Sequence, residues 1–256
     1  MKKDKTILIV GLGAIGSVIF SRLIRKDYQV VCLTSQKGTE KIREKGLRVK
    51  IVGDLNPQLH ECEVYDILPE NYVFETCIVT AKSWLNKQIV KEVSSNLSNN
   101  ATILLFQNGL KVEDPFLHET RKWKIFRAIT SIAAARNEKN EAIEINTGFT
   151  KVGRVNDKTH KTNIWIRLLT AVGIPVTASN NINREIWSNI TIVNNLIRAI
   201  PEMMDIARSM KTMGKQELKA IVTNFDNFQT IVKMLSFFNE RLSLLAEGDL
   251  LDPTKE

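Results

Sequence analysis

Ile7-Leu8-Ile9-Val10-Gly11-Leu12-Gly13-Ala14-Ile15-Gly16-Ser17 is the stretch that decides the fold. Thr6 to Val10 is a short, continuous run of β-branched and apolar residues, the pattern of a strand buried on both faces of a parallel sheet. Glycines follow at once. From Ala14 to Lys26 the apolar positions Ile15, Val18, Ile19, Leu23 and Ile24 recur at helical spacing, and Asp27 closes the segment. Strand, glycine turn and helix in that order convert a weak GxGxxG pattern into a dinucleotide-binding fingerprint. Gly11 permits the tight turn, Gly13 lets backbone approach a pyrophosphate, and Gly16 lets the helix pack against the strand. Leu12, Ala14 and Ile15 complete the expected cofactor-binding turn, whose free N–H groups and helix dipole hold an anion.

Working outward, Gln29 to Leu33 reads as a second strand, Glu40 to Lys45 as a short helix ending at Gly46, and Leu47 to Val52 as a further strand. Thr76 to Thr80 and Thr102 to Phe106 are two more apolar strands, separated by a helical stretch from Leu85 to Leu97. This alternation predicts an α/β chain with a doubly wound parallel sheet. Phe126 to Ala135, Ala142 to Asn146 and Phe149 to Val152 read as closing strands before a helix at Thr162 to Val172. Past Ile174-Pro175-Val176 the periodicity becomes helical. We therefore expect a dinucleotide-binding domain over 1–176 and a smaller all-helical domain over 177–256.

The second strand ends in Leu33-Thr34-Ser35-Gln36-Lys37, with no acid to accept from a ribose 2′-hydroxyl. Ser35 and Lys37 could instead hold a 2′-phosphate, which favours NADP(H) over NAD, although Lys37 also reads as exposed loop. Lys82 and Asn108 each follow a strand, and ligands of open α/β sheets bind beyond the carboxyl ends of strands. Asn108-Gly109 is equally a turn signal.

Composition bounds the rest. The 256 residues are 43% hydrophobic and 25% charged, ordinary values for a globular chain long enough to bury a core. The formal charge of +8 comes from scattered lysines and arginines with acids between them, and no basic run interleaved with aromatics suggests nucleic acid. No run approaches the roughly 20 apolar residues of a membrane span. Three cysteines without a CxxC pair read as reduced thiols of a cytoplasmic protein, and the isolated histidines suggest no metal.

At this point the chain resembles the ketopantoate reductases (2-dehydropantoate 2-reductases). The likeness rests on residues 7 to 17, Gly46-Leu47-Arg48-Val49, the strand-borne Lys82, Gln107-Asn108-Gly109 and Ile186-Trp187. It implies a Rossmann-type domain in which the glycines, Lys82, Asn108 and Ala133 contact NADPH. It also implies a general-acid lysine two residues after the tryptophan, where this chain has Asn189. Val193 and Ile197 stand at the family's substrate asparagines, with Asn194 the nearest amide for substrate binding. The expected function is therefore an NADPH-dependent reductase of a small 2-oxo acid, of 2-dehydropantoate 2-reductase type in pantothenate synthesis. The alternative is a catalytically impaired NADPH-binding homologue acting as a sensor or assembly partner. A homodimer through the helical domain is the expected assembly.

Overall fold

The computed structural model describes residues 6–155 and 163–187, all within the first of two units, 1–192 and 193–256, into which the chain divides. Strand β1 (Ile7–Val10) is wholly buried, as a run of four apolar residues in a central strand must be. Helix α1 (Ala14–Ile24) packs its Val18, Ile19 and Leu23 into the core, and Asp27 reverses the chain at φ 60°. Strand β2 (Val30–Leu33) follows, then α2 (Gln36–Lys45), which begins earlier than the sequence suggests because the Ser35 hydroxyl accepts from the Gly38 amide at 3.3 Å and caps it. Gly46, at φ 68°, ends α2.

Beyond it lie β3 (Leu47–Lys50), β4 (Gln58–His60), β5 (Glu63–Tyr65) and β6 (Phe74–Val79). A single 3-10 turn over Ser83–Leu85 leads into α3 (Asn86–Val93), followed by β7 (Leu97–Leu105), α4 (Asp114–Leu117) and β8 (Lys124–Thr130). The chain continues with β9 (Ala133–Arg136), β10 (Ala142–Asn146), β11 (Thr150–Arg154), α5 (Asn163–Ala171) and β12 (Val176–Ala178).

Eight strands form the main sheet in the order β12-β11-β8-β7-β6-β1-β2-β5. From β5 to β8 every neighbouring pair is parallel, whereas β11 runs antiparallel to β8. The strand order reverses between β1 and β6, which makes their carboxyl ends the topological switch point of a doubly wound sheet.

Two expectations need correction. The strand predicted at Leu47 to Val52 does not join the main sheet; β3 pairs with β4 and β10 in a separate four-stranded sheet, β4-β3-β10-β9. Its alternating burial, with Leu47 and Val49 inside and Arg48 exposed, suits a sheet covered on one face. The run from Phe126 to Ala135 is two strands in two sheets, broken after Thr130.

This second sheet lies against α1. The tie is Arg22, whose guanidinium pairs with Glu144 of β10 at 2.7 Å, the two side chains only 8% and 0% exposed. Arg22 also donates to the Val172 carbonyl, and Glu144 accepts from the Val52 amide. A buried pair is tolerated only when its remaining polar atoms are satisfied in this way.

Candidate functional site

At the switch point three strand ends are knitted together by backbone. The amides of Thr80 and Ala81 donate to the Val10 carbonyl at 2.8 and 3.1 Å, and Gly11 donates to Leu33 at 2.8 Å. Gly11 sits at φ 98°, and a Cβ there would lie 2.5 Å from the Ala81 nitrogen. A Cβ on Gly16 would lie 2.1 Å from the Gly11 carbonyl oxygen, so the close approach of α1 to the turn requires glycine at both places. Gly13 is different. It is exposed, and a Cβ there would meet nothing within 4 Å.

Gly13 is also the N-cap of α1 and no side chain caps that helix, so the amides of its first turn face outward unclaimed by a capping group. That is the donor set for a pyrophosphate. Ala14 and Ile15 are half-buried in this turn. Leu12 has only its backbone amide to offer there, because its side chain is buried in the core and its carbonyl accepts from Arg136 at 2.6 Å.

Four of the other predicted residues follow carboxyl ends of main-sheet strands, and the fifth lies on the second sheet. Ser35 and Lys37 lie just past β2, Ser35 as the α2 cap and Lys37 exposed in its first turn. Lys82 lies past β6, exposed, with its Nζ 5.8 Å above the Trp84 ring. Asn108 is exposed past β7, and Ala133 opens β9. Asn189 and Asn194 fall outside the described residues.

Three positioning residues were missed. Gln107, 6% exposed, donates to the Ala81 carbonyl at 2.7 Å and to Asn86 at 2.8 Å, and accepts from Asn86 at 2.9 Å. It therefore fixes the loop carrying Asn108 to the loop carrying Lys82. Arg127 of β8 donates to the carbonyls of Gln107 and Gly109, flanking Asn108, and pairs with Glu113. Burial pushes the Arg127 guanidinium below its usual value, and Glu113 opposes that shift. Arg136 ties β9 to the glycine turn through Leu12 and the Ser17 hydroxyl. The available signal was a polar side chain inside an apolar run, at Phe126-Arg127-Ala128 and Phe106-Gln107.

Gln107→Leu should leave the Asn86 side-chain oxygen, one of its N–H groups and the Ala81 carbonyl unpaired, while Asn86 keeps its bond to the Val112 carbonyl, at about 1–3 kcal/mol. In a chain this long that lowers the melting temperature by several degrees, at roughly 2–4 °C per kcal/mol, and calorimetry reads it directly. A variant melting with the parent chain would show that these hydrogen bonds contribute nothing net to stability.

A family model described as ketopantoate reductase PanE/ApbA matches residues 7–157, and one described as phosphopantothenate/pantothenate synthetase matches residues 180–241. A 2-dehydropantoate 2-reductase of Archaeoglobus fulgidus is 23% identical over 255 residues, covering 93% of this chain and 82% of that one. A 4-phosphopantoate–β-alanine ligase of Thermococcus onnurineus is 41% identical over 63 residues, 25% of this chain and 24% of the ligase. The chain thus spans about a quarter of the ligase it matches. Among solved structures, a D-mandelate dehydrogenase with NADH and anilino(oxo)acetate superposes with a TM-score of 0.63 at 17% identity, covering 71% of this chain and 59% of that one. Among the described residues no helix is long and apolar enough to cross a membrane.

Proposed function

The chain belongs to the ketopantoate reductase family, and from that membership we propose that it binds NADP(H) at the carboxyl ends of β1, β2, β6 and β7 and reduces a small 2-oxo acid of the 2-dehydropantoate type. The observation that carries the reading is the glycine cradle. Its two closed glycines hold the turn against β1 and β6, while Gly13 leaves open space over an uncapped helix N-terminus. The cradle fits a dinucleotide, and the bound cofactor would supply a hydride.

This chain's own residues do the rest. Backbone amides of the first α1 turn hold the pyrophosphate, Lys82 and Asn108 border the cleft, and Arg127 and Gln107 keep those two loops in register. Ser35 and Lys37 offer a hydroxyl and a cation for a 2′-phosphate. Lys37→Glu should therefore shift preference from NADPH toward NADH by about tenfold or more, the equivalent of one charge-assisted hydrogen bond. Paired titrations with the two cofactors read the ratio, and an unchanged ratio would sink the assignment.

The substrate class draws support from both ends of the chain, because the reductase and the ligase named above both act on a pantoate skeleton. The two family matches leave residues 158–179 between them, whereas the first unit runs past 176/177 to residue 192 and takes in β12 of the main sheet. The free cysteines Cys32, Cys62 and Cys77 suit the cytoplasm. A homodimer through residues 177–256 belongs to the same reading, and light scattering tests it.

One observation favours a second reading. Residues 180–241, where a reductase would carry its acid and substrate groups, match the synthetase model. On that reading the chain holds the nucleotide without turning over. Titration of NADPH, followed by its consumption in the presence of 2-dehydropantoate, separates the two. Binding with turnover supports the reductase, binding alone supports the second reading, and no binding overturns both.

A further inference from the structure

The last turns of α2, the start of β3 and the turn between β9 and β10 line a half-open cavity of about 400 Å³. Five cations line it, Lys41, Lys45, Arg48, Arg136 and Lys139, against the single carboxylate of Glu141. Glu141 is already engaged, since its carboxylate accepts from the Asn137 amide at 2.8 Å. Lys45 meets Glu44 at 3.7 Å, but both side chains are more than half exposed and such a pair contributes little.

Arg136 is the anchor. Its guanidinium donates to the Asn140 carbonyl at 2.7 Å, to the Leu12 carbonyl and to the Ser17 hydroxyl, all neutral acceptors, and among the described residues it meets no carboxylate. Burial pushes it below its usual value, so its surroundings do not compensate the charge. Asn140, held at φ 62°, places its side-chain oxygen 3.3 Å from both Arg136 Nη1 and Lys41 Nζ once the amide is oriented to accept. Two cations therefore converge on one neutral oxygen, an arrangement that an anion would satisfy better.

We propose that this cavity is a binding site for a small molecule bearing a phosphate or pyrophosphate, separate from the dinucleotide cleft. The charge ratio calls for a multiply charged ligand, which one carboxylate does not supply. The cavity is concave and of small-molecule size, and no aromatic side chain lines it for base stacking, which argues against nucleic acid. Along α2 it begins about one turn past the 2′-phosphate position: Lys41 stands four residues from Lys37, about 6 Å at 1.5 Å per residue, and Lys45 eight, about 12 Å.

Calorimetric titration of the full chain with inorganic pyrophosphate at fixed ionic strength tests the site. In the Gly13→Val background, where the dinucleotide cleft is blocked, one pyrophosphate should still bind. Lys41→Ala combined with Lys45→Ala should weaken that binding at least tenfold, while NADPH affinity in the otherwise native chain stays within twofold. A second pair, Arg48→Ala with Lys139→Ala, should do the same, and thermal melts check that each variant folds. Three results would overturn the proposal: pyrophosphate binding that survives both pairs, pyrophosphate binding that Gly13→Val alone abolishes, or a parallel loss of NADPH affinity that makes the cavity part of the cofactor cleft. Tighter, lysine-dependent binding of a DNA oligonucleotide would replace it with a nucleic-acid site.

Discussion

Gly13→Val should melt with the parent chain and yet lose NADPH binding by more than about 100-fold. The backbone at Gly13 is extended, at φ −69° and ψ −170°, a conformation any residue adopts, and an added Cβ meets nothing within 4 Å. The fold therefore has no reason to object. The same open space is where the pyrophosphate must reach the first-turn amides of α1, and two charge-assisted hydrogen bonds at about 1.5–3 kcal/mol each exceed the roughly 2.7 kcal/mol of a 100-fold change. Gly16→Val is the contrasting case. Its Cβ would lie 2.1 Å from the Gly11 oxygen and 2.4 Å from Thr80 Oγ1, contacts that only separation of α1 from β1 could relieve. We expect a loss of more than about 4 kcal/mol, the range reserved for severe core disruption. Fluorescence titration and thermal melting read the pair. If the two variants behave alike, the distinction between a closed and an open glycine is wrong.

That distinction was only partly legible in the sequence. The pattern from Ile7 to Ser17 places the strand, the turn and the helix, and it assigns roles to three glycines from general rules. Which glycine faces solvent is a matter of what packs behind the turn, and Ala81 and Thr80 come from a strand about seventy residues away. The main sheet shows the same limit. Its third parallel strand, β5, is only Glu63-Val64-Tyr65 with Val64 alone buried, too short and too polar to stand out. Leu47 to Lys50 has the stronger strand signal and goes to the other sheet, where alternation rather than a continuous apolar run is the fitting pattern. Lys82 and Asn108 could be singled out as candidates because each closely follows an apolar strand. Gln107 and Arg127 could not be assigned, because a buried polar side chain has meaning only through its partners, and those partners are carbonyls of distant loops.

The second large effect concerns rate. Hydride addition to a ketone carbon leaves negative charge on the oxygen, which must be protonated or held by a cation. The resemblance to the reductases places their general-acid lysine at Asn189, whose amide donates a hydrogen bond but delivers no proton. Loss of a positioned acid costs about 10²–10⁴ in rate, so with NADPH bound the native chain should reduce 2-dehydropantoate that far below the ordinary kcat range of about 1–10³ s⁻¹. Restoring the charge alone should not repair it. Val193 and Ile197 stand where the same resemblance expects substrate asparagines, and residues 180–241 match a synthetase model as well as falling within the stretch aligned to the reductase. Groups that act as a unit are not recovered one at a time. Asn189→Lys is therefore expected to stay within about threefold of the native rate, read from NADPH absorbance under saturating substrate. A rise of tenfold or more would show that the lysine alone restores the site, and the segment that follows it would then have to supply the substrate's remaining contacts.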